Sequence, residues 1–437
     1  MKNYALFILS SILFFCASCS DDDNDAYKTY EVSIQLVYPT DSELSAVSGV
    51  AVTLTSNTGT IYDSTTDENG KADFTVPAGI YEAAASEQRA LDGYTHILNG
   101  TQTGITITTS WTNGEVVSLS LTESTSGQIV IKELYVGGVQ KDDGSGNYQY
   151  DKYVILYNNS EQTATLSNFC LGMVNPYNAH SAINDYEDGV LSYANSGYIP
   201  AGCAIWYLED DLTIESGKQV VIALNGAIDH TTTYSQSVDL SNADYCTYDI
   251  EDFNSTSYYP TPSENIPTDH YFLAYKYGQG TGWPLSNNSP AFFIFTTQDQ
   301  DPVTFASTND YHYTNNRTGN AVWCCAKVLN EWILDAIEVF SADKIDSSNK
   351  RLTDDIDAGY TTLTNYYGHT SYRNVDKEAT EAIADNSGKL VYTYSYGTDP
   401  SGIDAEASLA NGARIVYQDT NNSTNDFHER SQASLRD

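Results

Sequence analysis

The residues best suited to chemistry lie near the end of the chain. Asp419, Asn421, Ser423, Asn425 and Asp426 set hard oxygen donors at alternate positions of one loop, as in the first half of a calcium-binding loop. Such donors suit calcium, but the sixth-position glycine and the closing glutamate of such loops are missing. The favoured expectation is an Asx-turn loop before a final strand or helix, with a calcium site the alternative. Asp354, Asp355 and Asp357 form a second acidic cluster. If Asp354, Asp357, His369, Asp419 and Asp426 converged on one ion, the chain would suit metal-dependent hydrolysis. Aromatic rings offer a different chemistry, because the C–H face of a sugar packs against a π-face. Trp283 stands in a Gly/Pro loop with Tyr275 and Tyr277 nearby, and these three are the expected exposed ligand platform. Trp206 and Trp332 sit in apolar runs and are expected in the core.

No catalytic residue is assigned. The sequence has no His-Glu-x-x-His, no Gly-x-Ser-x-Gly and no phosphate-binding Gly-rich loop followed by Lys-Ser/Thr. Gly278-Gln279-Gly280-Thr281-Gly282 has the wrong spacing for a dinucleotide fold and reads as a loop. The seven histidines are scattered, with none at metal-ligand spacing. Excess acid, with 58 Asp and Glu against 20 Lys and Arg and a net charge of -38, excludes binding to nucleic acid through phosphate contacts. It suits solubility at a crowded surface, or attraction of cations or a basic partner. The 35 Tyr, 13 Phe and 5 Trp supply ample surface to bury, so the chain is expected to fold.

The elements that must carry these residues read as strands. Val32, Ile34 and Leu36 alternate with Ser33 and Gln35, and Val50-Ala51-Val52-Thr53-Leu54 repeats the pattern. The turn Thr66-Asp67-Glu68-Asn69-Gly70-Lys71 follows, then Phe74, Val76 and Pro77-Ala78-Gly79-Ile80-Tyr81. Asn-Gly between alternating runs predicts a hairpin. Ser/Thr-rich residues 122–127 form a linker. Beyond it, Ile129–Tyr135, Asp151–Asn159, Ala164–Gly172 and Ile214–Ala223 read as further strands. The long Tyr-rich stretch at about 175–330 exceeds what a simple sandwich needs. It is expected to be either binding surface on a rigid scaffold or irregular packing.

Three resemblances extend this reading. Residues Val50–Tyr81 resemble the carboxypeptidase-regulatory or transthyretin-like sandwich, in which Asp67, Asn69 and Gly70 would shape a turn and perform no chemistry. Strands Gly104–Thr109 and Val116–Leu121 would complete it. The order Ile129–Tyr135, Tyr153–Asn159, Leu166–Leu171, with Gln418–Phe427 at the end, resembles the lamin-tail immunoglobulin-like fold; Lys152 and Ile155 replace residues often acidic there. Residues 127–437 further resemble domain of unknown function 4876 of Bacteroidetes lipoproteins, through Ile333–Glu338, Lys350-Arg351-Leu352, Asp357–Tyr360 and Asp419–Phe427. That resemblance implies surface placement and no established chemistry.

The start of the chain supplies the address. Met1-Lys2-Asn3, an apolar stretch from Tyr4 to Cys16, and Ala17-Ser18 describe a secretory signal. Cys19 after small residues resembles a bacterial lipobox, with Cys16 a departure at the usual aliphatic position. Ser20-Asp21-Asp22-Asp23 resembles the surface-export tag of Bacteroidetes lipoproteins. An acylated Cys19 would anchor the protein to the outer membrane, facing outward. Of the later cysteines, Cys170, Cys203, Cys246, Cys324 and Cys325 are odd in number, which forbids complete pairing. Buried free thiols are expected, with room for one disulfide that spacing does not assign.

The expected architecture is all-β. Residues 1–18 are a signal peptide, 19–28 an acidic tether, 29–124 a transthyretin-like β-sandwich and 127–437 a larger lamin-tail-like β domain with long insertions. The expected role is a non-catalytic surface binding module, accessory to an outer-membrane transporter barrel and capturing a chelate or glycan. The alternatives are a structural or adhesion protein and the hydrolase above.

Overall fold

A computed structural model describes residues 28–436, apart from 41, 43, 92–93, 126–127, 184, 188, 395 and 397–398. Cys19 and the signal and tether expectations lie outside the described residues. The architecture is all-β, with only short helices between strands.

The first eight strands are β1 (Thr29–Val37), β2 (Ala51–Ser56), β3 (Ile61–Thr65), β4 (Lys71–Pro77), β5 (Gly79–Leu91), β6 (Tyr94–Ile107), β7 (Glu115–Ser120) and β8 (Thr122–Thr125). They build a three-stranded sheet, ordered β4-β1-β7, and a five-stranded sheet, ordered β3-β2-β5-β6-β8. Period-2 alternation turns Val32, Ile34, Val52, Leu54, Phe74, Val76 and Leu119 into the shared core between the sheets. The Asn69-Gly70 turn forms as read. Asp67 Oδ1 accepts the N–H groups of Asn69 and Lys71 at 2.9 Å each, and Gly70 has φ 76°. The hairpin does not form: β3 pairs with β2, whereas β4 pairs with β1 in the other sheet. The turn is thus an arch between sheets, because β3 and β4 each found a better partner than the other.

The second body is organised by a twelve-stranded sheet. From one end the order is Thr361–Leu363, Ile333–Ser341, Ala291–Thr296, Phe169–Met173, Ala204–Tyr207 and Tyr271–Lys276. It continues through Tyr245–Thr247, Gln219–Ala223, Tyr153–Asn158, Ile129–Tyr135, Thr370–Arg373 and Phe427–Arg430. The two end strands lie against each other, so the sheet wraps back around its core. Ile129–Tyr135, Tyr153–Asn158 and Ala291–Thr296 are buried at every position, as strands with both faces covered should be. Even Lys132 is enclosed there, its ammonium donating to Gln219 Oε1 and paired with Glu406 Oε1, each at 2.6 Å.

The Tyr-rich stretch is part of this sheet. Between 175 and 330 the chain supplies five of the twelve strands, and its aromatics Trp206, Phe253, Tyr259, Phe272 and Phe292 fill the central core. All five later cysteines are buried free thiols.

Candidate functional site

The loop considered for calcium is built around an arginine. Arg373, fully buried at the end of strand Thr370–Arg373, points its guanidinium at three carboxylates. Nη2 donates to Asp335 Oδ2, and Nη1 lies 3.3 Å from Asp419 Oδ1 and 3.7 Å from Asp426 Oδ2. Asp426 also accepts from Thr420 N and Oγ1 and from Asn422 N. Asp335 Oδ2 accepts from Ile131 N at 2.5 Å. Ser423 gives both its N–H and its hydroxyl to Asp357, which also takes the N–H groups of Glu338 and Gly359. Asn422 caps the short helix Ser423–Asp426 through Thr424 N. Of the residues considered for calcium, Asp419 and Asp426 thus face the Arg373 guanidinium and Ser423 faces Asp357, an arrangement in which the loop's oxygens are engaged as an Asx-turn loop engages them. Burial pushes the Asp335, Asp357 and Asp426 carboxyls up, opposed for Asp335 and Asp426 by the charge of Arg373.

The hydrolase constellation does not assemble. Asp354 is an exposed partner of Lys350 at 2.9 Å, and His369 Nδ1 meets Glu429 at 2.5 Å. Asp357 faces Ser423, and Asp419 and Asp426 face Arg373. Among the described residues no group of three or more His, Cys, Asp or Glu side chains is placed to hold a metal.

The aromatic platform is likewise relocated. Trp283 is 1% exposed and packs edge-on against Trp206 and Phe292, with ring centroids 6.3 and 6.4 Å away. Its backbone N–H donates to the Tyr259 hydroxyl at 3.1 Å. A tryptophan in a Gly/Pro loop reads as exposed, but this loop is drawn inward by core aromatics distant in sequence. Tyr277 turns its hydroxyl to Ala201 O at 2.8 Å, and Tyr275 packs half-buried against a second cluster. The three residues do not form a surface.

An open groove of about 350 Å³ lies elsewhere, between two turns that leave neighbouring strands. One wall is the turn after Ile333–Ser341. Ala342 N bonds Leu363 O at 2.9 Å, Lys344 N bonds Ser341 O at 2.9 Å, and Ser341 Oγ donates to Asp343 Oδ1 at 2.7 Å. That last bond lowers the Asp343 carboxyl below its ordinary value. The other wall is the turn after Thr361–Leu363, pinned at both ends by Thr364 N to Glu429 Oε1 at 2.8 Å and Gly368 N to Gly138 O at 3.0 Å. Tyr366 at its centre has φ 68°, a left-handed conformation costly for a side chain of this size. Gln140 holds its carbonyl at 3.3 Å. The outcome is that Tyr367 stands 61% exposed at the rim. Leu363 forms an apolar floor, and His180, Asn288, Asp343 and Lys344 supply polar atoms around it. His180 Nδ1 lies 3.3 Å from Ser289 Oγ. A broader depression of about 490 Å³ has Tyr186 as its one lining ring, and that hydroxyl is tied to Lys350 O at 2.8 Å. Sequence reading missed the Tyr366-Tyr367 groove, because Asn365-Tyr366-Tyr367-Gly368 carries only a turn signal.

Fold and site together define an all-β protein with a buried arginine cluster and an open groove, largely apolar in its lining, with polar side chains around it. Residues 215–393 match the model of the family described as "Protein of unknown function (DUF4876)". A crystal structure of a DUF4876 family protein from Bacteroides thetaiotaomicron is 19% identical, with 91% of this chain and 94% of that one covered at a TM-score of 0.51. The resemblance read from Ile333–Glu338, Lys350–Leu352 and Asp357–Tyr360 is thereby borne out, and the shared fold with it. The Bacillus anthracis TIE protein is 14% identical, covering 44% of this chain and 28% of that one, with a TM-score of 0.17. A DUF3823 family protein from Parabacteroides merdae is 10% identical, covering 43% and 96%, with a TM-score of 0.15. No curated protein matches the sequence.

Proposed function

We propose that this chain is a non-catalytic, lipid-anchored binding module of the outer-membrane surface. It captures a small polar ligand, a chelate or a glycan, in the groove between the Ser341–Lys344 and Thr364–Gly368 turns, and acts as an accessory to an outer-membrane transporter barrel. The observation that carries this reading is the groove, where an exposed aromatic rim and convergent polar atoms stand on two turns fixed to sheet strands. Concave sites of a few hundred Å³ with an apolar floor and a few placed polar groups suit small ligands. The anchor rests on Cys19 and its flanks, and the transporter on the needs of a surface capture protein.

Hydrogen–deuterium exchange on the purified full chain, with and without the small-molecule fraction of growth medium, tests it. Protection confined to residues 341–344 and 363–368 is expected. Protection elsewhere would move the site. No protection anywhere would sink ligand capture and favour a structural or adhesive role.

A further inference from the structure

The groove's chemistry narrows its occupant. We infer that it takes a neutral saccharide, one ring of which lies on Tyr367; this rests on the groove reading above. Tyr367 is one of three tyrosines among the exposed large apolar side chains of the described residues, with Tyr392 and Tyr396, and it is the one that borders this cavity. A ring left in water at this cost in apolar exposure suits a ligand with a C–H face and polar edges.

Asp343 and Lys344 stand side by side on the opposite wall and cancel locally, so the groove favours neither ion. Across the whole molecule the net charge of -38 repels anionic ligands over a distance of about a Debye length. That weighs against polyanions and against negatively charged metal chelates.

The groove is lined by the carboxylate of Asp343, the ammonium of Lys344, the amide of Asn288 and the imidazole of His180, so the set holds both donor and acceptor groups, as vicinal hydroxyls require. The volume of about 350 Å³ is at the small end for ligand sites, which fits the end of a glycan better than its length.

Calorimetric titration of the full chain tests this with neutral tetrasaccharides of glucose, mannose, galactose and N-acetylglucosamine. Tetragalacturonate serves as the anionic probe and ferric citrate as the chelate probe. At least one neutral sugar is expected to bind. Tyr367→Ala should weaken it roughly fivefold to tenfold, the scale of one aromatic contact, and Tyr367→Phe, which keeps the ring, should leave it within about threefold. Tyr367 is exposed, so its truncation leaves folding intact. Binding of tetragalacturonate or ferric citrate alone, lost in Tyr367→Ala, would overturn the saccharide and keep the groove. Sugar binding indifferent to Tyr367 would also overturn it. Failure of every probe, together with unprotected turns in the exchange experiment, would remove both.

Discussion

Arg373 is a single guanidinium facing three buried carboxyl groups, Asp335, Asp419 and Asp426. Truncating it as Arg373→Met leaves buried carboxylates unpaired and should cost about 3–5 kcal/mol of stability, read by denaturant unfolding. Burial raises Asp335 to about 7 and Asp426 to about 8. Between the ordinary carboxyl value near ~4 and those values the folded chain binds more protons than the unfolded one. This contribution to stability is fully present below pH ~4 and falls as pH rises to about 8. The Asp419 charge raises both groups, so Asp419→Asn should flatten that fall, measured as unfolding free energy from pH 5 to 9. An unchanged slope would show that the cluster does not titrate as described. Trp283→Ala should cost about 3–5 kcal/mol as a core truncation and leave groove binding untouched in the folded fraction. Residue identity alone disclosed neither arrangement. A lone arginine in Ser371-Tyr372-Arg373-Asn374 has no local signal, and the burial of Trp283 depends on Trp206, Phe253, Tyr259 and Phe292, which no spacing rule joins to it.

At the scale of elements, most strands were legible because alternation or unbroken apolar runs report burial directly. Ile129–Tyr135, Tyr153–Asn158 and Gln219–Ala223 are where the pattern places them. Pairing was less legible. The Asp67–Gly70 turn has the conformation its residues demand, yet it crosses between sheets, because turn chemistry sets the direction of the chain and leaves the ladder partner to the core. Gly70 is held at φ 76°, and an added Cβ would sit 3.0 Å from Ala46 Cβ. Gly70→Ala should therefore lower stability by about 1 kcal/mol or more, read as a shifted thermal midpoint, with exchange at the groove turns unchanged. Apart from Gln219–Ala223, the short strands within 175–330 were hidden for another reason: they are brief, separated by long turns, and join a sheet whose other members lie far along the chain.

For the whole molecule, the sandwich and the large body meet at the loop that carries the arginine cluster, where Asn99 Nδ2 donates to Thr420 O at 2.5 Å. The proposed surface placement rests on the residues at the chain's start and on its charge. Cys19→Ala should move the protein from the membrane pellet to the soluble fraction of fractionated cells, because a single lost thiol removes every acyl chain. Retention in the pellet would contradict the anchor. Recovery of a transporter barrel in near-equal amount from mild-detergent purification would support the accessory role, and recovery of the protein alone would remove it. The account stands or falls on the groove, and a crystal structure of the chain grown with its best-binding tetrasaccharide tests that most directly. The account predicts a sugar ring stacked on Tyr367 with hydroxyls within hydrogen-bonding distance of Asp343 or Lys344. Ligand bound at any other place, with the groove filled only by water, would contradict it.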